Sequence, residues 1–143
     1  MQKLFCAIGM LAVLVVPAGS AVASCPVGTA AWQETQMFFG RGLKGGGEVS
    51  DSEWGVFVRD EITPRFPDGF TVVDAAGFWR GCPSLPSGVC ERSKLLLVQY
   101  PAEMADADTK LKAIATTYAG RFHQQAVMRS DSSVCTQFYS ADE

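Results

Sequence analysis

The chain is poor in the residues on which most catalytic and metal sites depend. It contains one histidine, His123, in 143 residues. A Ser-His-Asp triad needs a well-placed histidine, and a histidine-rich metal centre needs several. The sequence also lacks a CxxC pair, a GxSxG nucleophile motif and the GxxxxGK[ST] and GxGxxG signatures of nucleotide binding. We therefore expect no metal and no cofactor.

Positive charge is also scarce. The chain has 12 Lys and Arg against 15 Asp and Glu, and its formal net charge is −3. Contacts with nucleic-acid phosphates need clustered basic side chains, and the sequence has no such cluster. We therefore expect no nucleic-acid partner.

Long apolar runs are absent beyond the N-terminus. Leu4–Val16 follows Lys3 and is followed by small residues. The run is too short for a membrane span, which takes roughly 20 residues. A positive start, a short apolar run and a small-residue cleavage site are typical of a secretory signal peptide. The sequence thus predicts a signal peptide over residues 1–23 and a single domain over residues 24–143.

The end of this segment, Ser20–Cys25, allows two interpretations. Cleavage after Ala23 would release a soluble periplasmic or secreted protein. The same letters resemble a bacterial lipobox, in which Cys25 would carry a lipid anchor and hold the protein at a membrane. Lipidation would leave Cys135 as an odd thiol in an oxidising compartment, so we favour the soluble form.

Four cysteines follow the predicted signal peptide, at positions 25, 82, 90 and 135. An even number in an exported chain predicts two disulfides, and three pairings are open. Cys82 and Cys90 flank the Pro/Gly-rich stretch PSLPSGV, so a local bridge there is the simplest pairing. Cys25 would then join Cys135.

Hydrophobic periodicity predicts four strands and two helices. The predicted strands are Trp32–Phe39, Phe70–Arg80, Ser93–Pro101 and Ala126–Phe138, the last with a bulge or break at SDSS. Ser50 and Glu53 have the spacing of a capping box that opens the first helix. The second helix has the apolar stripe Leu111, Ile114, Ala115, Tyr118 and Phe122. The order predicts an α+β, ferredoxin-like βαββαβ fold, with a four-stranded antiparallel sheet and two helices on one face.

In this fold the second face of the sheet is not covered by helices. Alternation along the strands separates their side chains into two sets, and the third strand is apolar in both. We assign Phe38, Leu96, Val98 and Tyr100 to the uncovered face. An apolar face of this kind predicts a second subunit, a covering loop or a ligand pocket.

Two functions from different classes fit such a face. The favoured one is a binding or self-associating module, whose partner is a second copy, another protein or a small molecule. The alternative is a cofactor-free enzyme or a small-ligand pocket on the same face. The candidate ligand-binding residues are Glu34, Gln36, Asp74, Trp79, Arg80 and Tyr100. No residue is assigned a catalytic role.

Five segments resemble, in this order, the bacterial family called domain of unknown function 3574. They are WQETQMFFG, VSDSEWGVFV, ITPRFPDGFTVVDAAGFWR, SKLLLVQYP and YAGRFHQQAVMR. The resemblance runs from about Trp32 to Phe138, and TPRFPDG with GFWR is its most specific part. It implies a small exported or lipoprotein-type bacterial protein, with one cysteine before the first strand and one near the C-terminus. It thus supports the pairing of Cys25 with Cys135 and implies no activity.

Overall fold

The computed structural model describes residues 24–78 and 90–141, which form strands and helices in the predicted order. The strands are β1 (Ala30–Gly40), β2 (Thr71–Gly77), β3 (Glu91–Pro101) and β4 (Met128–Thr136). The helices are α1 (Asp51–Phe57), which continues into a π-helical turn (Val58–Ile62), and α2 (Ala107–Arg121).

The strands form one antiparallel sheet in the order β2-β3-β1-β4. This confirms the predicted α+β class and is compatible with the ferredoxin-like arrangement. The pairing of β1 with β4 runs without a break from Ala30–Thr136 to Phe38–Met128. The predicted break at SDSS is therefore wrong, because backbone hydrogen bonds to a central strand do not depend on apolar side chains.

The helices pack on one face of the sheet around aromatic side chains. The ring of Tyr118 in α2 lies 4.8 Å from that of Phe39 in β1 and 5.1 Å from that of Phe57 in α1, between centroids. Rings at this separation in edge-to-face geometry stabilise a core. Leu111, Ile114, Tyr118 and Phe122 are buried and Ala115 is half-buried, which confirms the predicted stripe of α2.

The faces of β3 are the reverse of the prediction. Leu96 and Val98 are fully buried under the helices, and Tyr100 is 6% exposed on the same side. Directly paired residues of antiparallel strands point to the same side, and Thr35 and Met37 are the buried partners of Val98 and Leu96. The assignment of these β3 residues to the uncovered face was wrong because both faces of β3 are apolar.

The start of α1 follows the predicted capping box. The backbone N–H of Glu53 donates to the Ser50 hydroxyl at 3.2 Å, and the N–H of Ser50 donates to the Glu53 carboxylate at 2.8 Å. Two of the otherwise unsatisfied N–H groups at the helix start are thereby paired.

A disulfide joins Cys25, ahead of β1, to Cys135 in β4, with the Cα atoms 5.5 Å apart. This confirms the predicted pairing of these two cysteines. Cys90 is also disulfide-bonded, and Cys82 lies outside the described residues. Among the residues 24–78 and 90–141, no helix is long and apolar enough to cross a membrane.

Candidate functional site

An apolar row crosses all four strands on the face opposite the helices, here called the open face. Its members, in sheet order, are Val73, Leu95, Phe38 and Met128. Val73 and Met128, on the edge strands, are 46% and 59% exposed, while Leu95 and Phe38 are half-buried. Single exposed apolar side chains are common on protein surfaces, whereas these four lie side by side across the sheet.

A polar row lies on the same face, nearer the other end of the strands. The side-chain amide of Gln99 donates to Glu34 Oε2 at 2.8 Å, and that of Gln36 donates to Glu34 Oε1 at 3.1 Å. These bonds, first from Gln99 and then from Gln36, lower the pKa of Glu34 below its usual value. The open face thus carries an ionised, hydrogen-bonded carboxylate beside its apolar row.

Among the predicted ligand-binding residues, the structure brings Glu34 and Gln36 together. Tyr100 lies on the opposite face of the sheet, under the helices. Trp79 and Arg80 lie outside the described residues. Of the described candidates in this group, Tyr100 therefore does not join Glu34 and Gln36 on the open face.

Asp74, another predicted site residue, also lies on the helix side. It pairs with Lys94 across β2 and β3, with Nζ 2.5 Å from Oδ1. Lys94 Nζ also lies 2.9 Å from Asp51 Oδ1 in α1. The hydrogen bond that Lys94 donates to Asp74 raises the pKa of Lys94 above its usual value. Burial opposes this shift, and the hydrogen bond that Lys94 donates to Asp51 adds to it. The cluster ties the start of α1 to the sheet.

A cleft of about 410 Å³ lies between the start of α2 and the helix side of β4. Its polar residues are Gln33, Tyr100, Asp108, Arg129 and Asp131. Its apolar residues are Ala102, Met104, Ala105 and Ala107. We call it the polar cleft. Its volume lies within the range of about 300–1,000 Å³ that is typical of small-molecule sites.

Hydrogen bonds link the floor of the polar cleft to its wall. Thr35, which is fully buried, lies 3.1 Å from the Tyr100 hydroxyl and donates to Asp131 Oδ1 at 2.5 Å. Arg129 Nε donates to Asp131 Oδ1 at 3.0 Å, and Arg129 Nη1 donates to Asp108 Oδ1 at 2.7 Å. Burial alone would lower the pKa of Arg129, but the bonds to Asp108 and Asp131 raise it. The guanidinium is therefore held in place by two carboxylates.

The prediction from sequence missed Thr35, Asp108, Arg129 and Asp131. The final strand carried no signal that could have found them, because Arg129–Ser133 is polar at every position and so on both faces of the strand. Residues of an edge strand are often polar on both faces.

A second, apolar cleft of about 210 Å³ adjoins the first, with Tyr100 and Met104 common to both. Trp32, Phe66 and Pro101 contribute to its walls. The ammonium of Lys110 lies 5.8 Å from the centre of the Phe66 ring. In the described part of the chain, no group of three or more His, Cys, Asp and Glu side chains is placed to hold a metal ion.

Comparison with solved structures finds a phage SAM lyase. In its apo state that protein is 15% identical to this chain, with a TM-score of 0.48, over 84% of this chain and 100% of that one. In complex with S-methyl-5'-thioadenosine the identity is again 15% and the TM-score is 0.45, over 85% and 100% of the two chains. At this level of similarity, neither the reaction nor the ligand of that enzyme is carried over to this chain.

Comparison with curated proteins finds no match. A family model does match, over residues 34–138. These residues include β1 from Glu34 onward and all the other strands and helices. They also include the apolar row and every polar residue of the polar cleft except Gln33. The chain therefore belongs to the family described as "Protein of unknown function (DUF3574)".

Proposed function

We propose that the protein is an exported binding module that self-associates through its open face. The observation that carries the proposal is the apolar row Val73, Leu95, Phe38 and Met128, which crosses the whole sheet on the side opposite α1 and α2. Covering these side chains removes apolar area from water, which stabilises the assembly by roughly 25 cal/mol per Å² of apolar surface buried.

The pattern of the open face favours a second copy of this chain as the occupant. A two-fold axis parallel to the strands, between β1 and β3, would place β1 of one copy over β3 of the other. Phe38 would then face Leu95 of the second copy, and Val73 would face Met128. Glu34 would face the amide of Gln99 rather than another carboxylate. A self-complementary pattern of this kind is what an isologous dimer requires.

The size of the face is also suitable. Nine residue pairs join β1 to β3 and nine join β1 to β4. With strands about 4.8 Å apart and a rise of about 3.3 Å per residue, the face measures roughly 19 by 30 Å. The product, roughly 570 Å², is about 70% of the 800 Å² or so that each partner buries in a standard protein interface. Packed sheets lie about 10 Å apart, which leaves room for one layer of interlocked side chains.

The test is the oligomeric state of the oxidised protein by light scattering and sedimentation, from about 1 µM to 1 mM. We expect the wild type to dimerise as its concentration rises. Val73→Asp and Met128→Asp each place a charge in the apolar row and should yield monomers. Both positions are exposed on edge strands, so the fold should tolerate them. Ser52→Asp adds the same charge at an exposed position of α1, on the other side of the sheet from the open face, and should leave the dimer intact.

A wild type that stays monomeric over the whole concentration range would refute self-association. Equal dissociation of the Ser52→Asp control would mean that net charge, and not the apolar row, determines assembly. Thermal unfolding of each variant shows whether a loss of assembly reflects a loss of folding.

We also propose that the protein is soluble in the periplasm or outside the cell. Cys25 is in a disulfide with Cys135, and such bonds persist in oxidising compartments. A lipid anchor would need the same Cys25 sulfur atom. The intact mass of the native protein tests this: we expect a chain that starts at Ser24 and is alkylated only after reduction. A chain that starts at an acylated Cys25 would overturn the proposal.

A further inference from the structure

We infer that the apolar cleft beside Phe66 binds a small aromatic carboxylate, with the ring between aromatic side chains and the carboxylate against Lys110 and Arg65. The cleft lies at one end of the sheet, and the inference does not depend on the dimer proposed for the apolar row. It rests on three observations: an opening between β3 and the turn ahead of β2, walls of aromatic side chains, and cations with donors that remain available.

The opening exists because β2 stops short of the end of β3. The pairing of β2 with β3 ends at Leu97, although β3 continues to Pro101. The register would place Gly69 opposite Gln99, but the N–H of Gly69 donates to the carbonyl of Phe66 at 3.3 Å. The turn therefore closes on itself and diverges from β3, and the cleft of about 210 Å³ lies at this place.

A backbone donor of β3 is left at the opening. The N–H of Ala102 donates to the carbonyl of Ala31 at 3.3 Å. The N–H of Arg41 donates to the carbonyl of Arg92 at 3.0 Å, so the even-numbered residues of β3 bond to β1. Hydrogen bonding alternates along an antiparallel strand, and the N–H of Gln99 therefore points away from β1, to the side where β2 no longer pairs. Gln99 lines the cleft, and its N–H can serve a ligand there.

The walls of the cleft are aromatic. Trp32 is half-buried, and Phe66 and Tyr100 are 4% and 6% exposed. The rings of Phe66 and Tyr100 lie 6.1 Å apart, between centroids. A dry cavity of about 150 Å³ is sufficient for one benzene molecule. The cleft, at about 210 Å³, therefore has the size for one aromatic ring with a small substituent.

The charge of the cleft favours an anionic substituent. Among the described residues that line it, Lys110 and Arg65 are positive and Asp68 is negative. Glu61, the partner of Arg65, lies outside the lining and is shared with Arg121, whose Nη2 is 2.6 Å from Glu61 Oε1. The carboxylate of Glu61 therefore balances two guanidinium groups, and a positive charge remains at the cleft. A cationic ligand would meet Lys110 and Arg65 and is disfavoured.

Both cations retain donors for a carboxylate. The ammonium of Lys110 has three N–H donors, and its pairing with Asp106 Oδ2 at 3.0 Å needs one of them. Within the described residues, the bonds of Arg65 use Nη1, so that Nε and Nη2 remain available. The ammonium of Lys110 also lies 5.8 Å from the centre of the Phe66 ring. Charge and aromatic wall are thus adjacent, as an aromatic carboxylate requires.

The probe for the test is benzoate. Benzylamine has the same ring with a positive charge, and cyclohexanecarboxylate has the same charge without an aromatic ring. The readout is the NMR spectrum of backbone amides and indole N–H groups of the oxidised protein, titrated at constant pH and ionic strength. We expect saturable shifts at Trp32, Phe66, Gln99 and Lys110 with benzoate and none there with benzylamine. Cyclohexanecarboxylate should bind about fivefold more weakly, because it lacks the ring contacts.

Two variants with matched controls locate the interaction. Lys110→Met keeps the length of the side chain and removes its charge, and it should weaken benzoate binding about tenfold. Lys112→Met is its control, because Lys112 is exposed on the same helix and does not line the cleft. Trp32→Leu removes an aromatic wall and should weaken binding about fivefold. Phe78→Leu, at a position that is 67% exposed and outside the cleft, should bind like the wild type.

The inference is overturned if benzoate produces no saturable shift at the cleft, or if benzylamine shifts the same resonances equally. It is also overturned if Lys110→Met or Trp32→Leu, each shown to be folded by circular dichroism, binds benzoate as tightly as the wild type. A protein that binds benzoate but stays monomeric would refute the dimer and leave the cleft site standing, so the two proposals fail separately.

Discussion

At the scale of the residue, Tyr118 connects α2 to the sheet in two ways. Its ring is fully buried against Phe39 and Phe57, and its hydroxyl donates to the carbonyl oxygen of Gly40 at 2.9 Å. Burial raises the pKa of Tyr118 above its ordinary value of 10.0. The phenol is therefore neutral in the folded protein at any pH at which the unfolded chain keeps its proton.

We predict that Tyr118→Phe lowers the free energy of unfolding at pH 7 by about 1–2 kcal/mol, because the Gly40 carbonyl loses its donor in a part-buried place. Urea denaturation measures the change. Tyr139→Phe is the matched control, since Tyr139 is 82% exposed and its hydroxyl donates to the nearby, exposed Gln137. An equal loss of unfolding free energy in Tyr139→Phe would contradict a stabilising hydrogen bond between Tyr118 and Gly40.

The same variant tests the pKa of Tyr118. Above pH 10 the unfolded chain releases this proton and the folded protein retains it, so the unfolded state binds fewer protons and wild-type stability falls as the pH rises. The phenylalanine variant lacks this contribution. The difference in unfolding free energy between the two proteins should therefore shrink between pH 9 and pH 11, and a constant difference would refute the raised pKa.

The β3 residues show what alternation can and cannot predict. A period of two separated Leu96, Val98 and Tyr100 from Leu95 and Leu97 correctly, but it did not indicate which set meets the helices. In β1 the side chains of the two faces differ in polarity, but polarity does not decide burial residue by residue. Thr35 is buried on the helix side, and Phe38 lies on the open face. The direction of a strand's faces depends on where the helices pack, which is a tertiary property.

At the scale of the element, local chemistry predicted the start of α1 better than its end. The capping box of Ser50 and Glu53 is formed within four consecutive residues, so it could be predicted from spacing alone. The π-helical turn that follows was not predicted. There the N–H of Thr63 donates to the carbonyl of Val58 at 2.9 Å, and Ile62 in the same turn is fully buried in the core.

We predict that Ser50→Ala lowers the free energy of unfolding by about 1 kcal/mol, because the N–H of Glu53 loses its acceptor and the Glu53 carboxylate loses its hydroxyl partner. Ser52→Ala, an exposed change two residues along the same helix, serves as the control and should stay within about 0.5 kcal/mol of the wild type. Thermal and urea unfolding of both variants decide the point. Equal effects at the two serines would mean that the box does not stabilise α1.

At the scale of the whole molecule, the disulfide between Cys25 and Cys135 closes a loop across nearly the entire domain, with a sequence separation of 110. In the chain-entropy model a loop of this length contributes about 4.7 kcal/mol by restricting the unfolded chain. We predict that the double variant Cys25→Ser, Cys135→Ser loses several kcal/mol of unfolding free energy while keeping the same fold by circular dichroism.

Val27→Ser is the control for that experiment, because Val27 lies in the same segment before β1 and is fully exposed. It should unfold at the wild-type urea concentration. If the double serine variant also does so, the bridge does not stabilise the domain, and its role would then be limited to holding the segment ahead of β1 against β4.

The sequence by itself determined the features that are formed by residues close together in the chain. These are the order of strands and helices, the capping box, the apolar stripe of α2 and the family resemblance, which the family model over residues 34–138 confirms. Spacing and composition carry this information because each element is formed by residues close together in the sequence.

The tertiary structure decided which surfaces are available. Only the packed molecule places Val73, Leu95, Phe38 and Met128 in one row, because they come from four strands far apart in the chain. Likewise, Thr35, Tyr100, Asp108 and Asp131 meet in one cleft only because β4 pairs with β1 and α2 packs beside them. Both surfaces depend on strand register and on the side to which the helices pack, and neither can be read from local sequence.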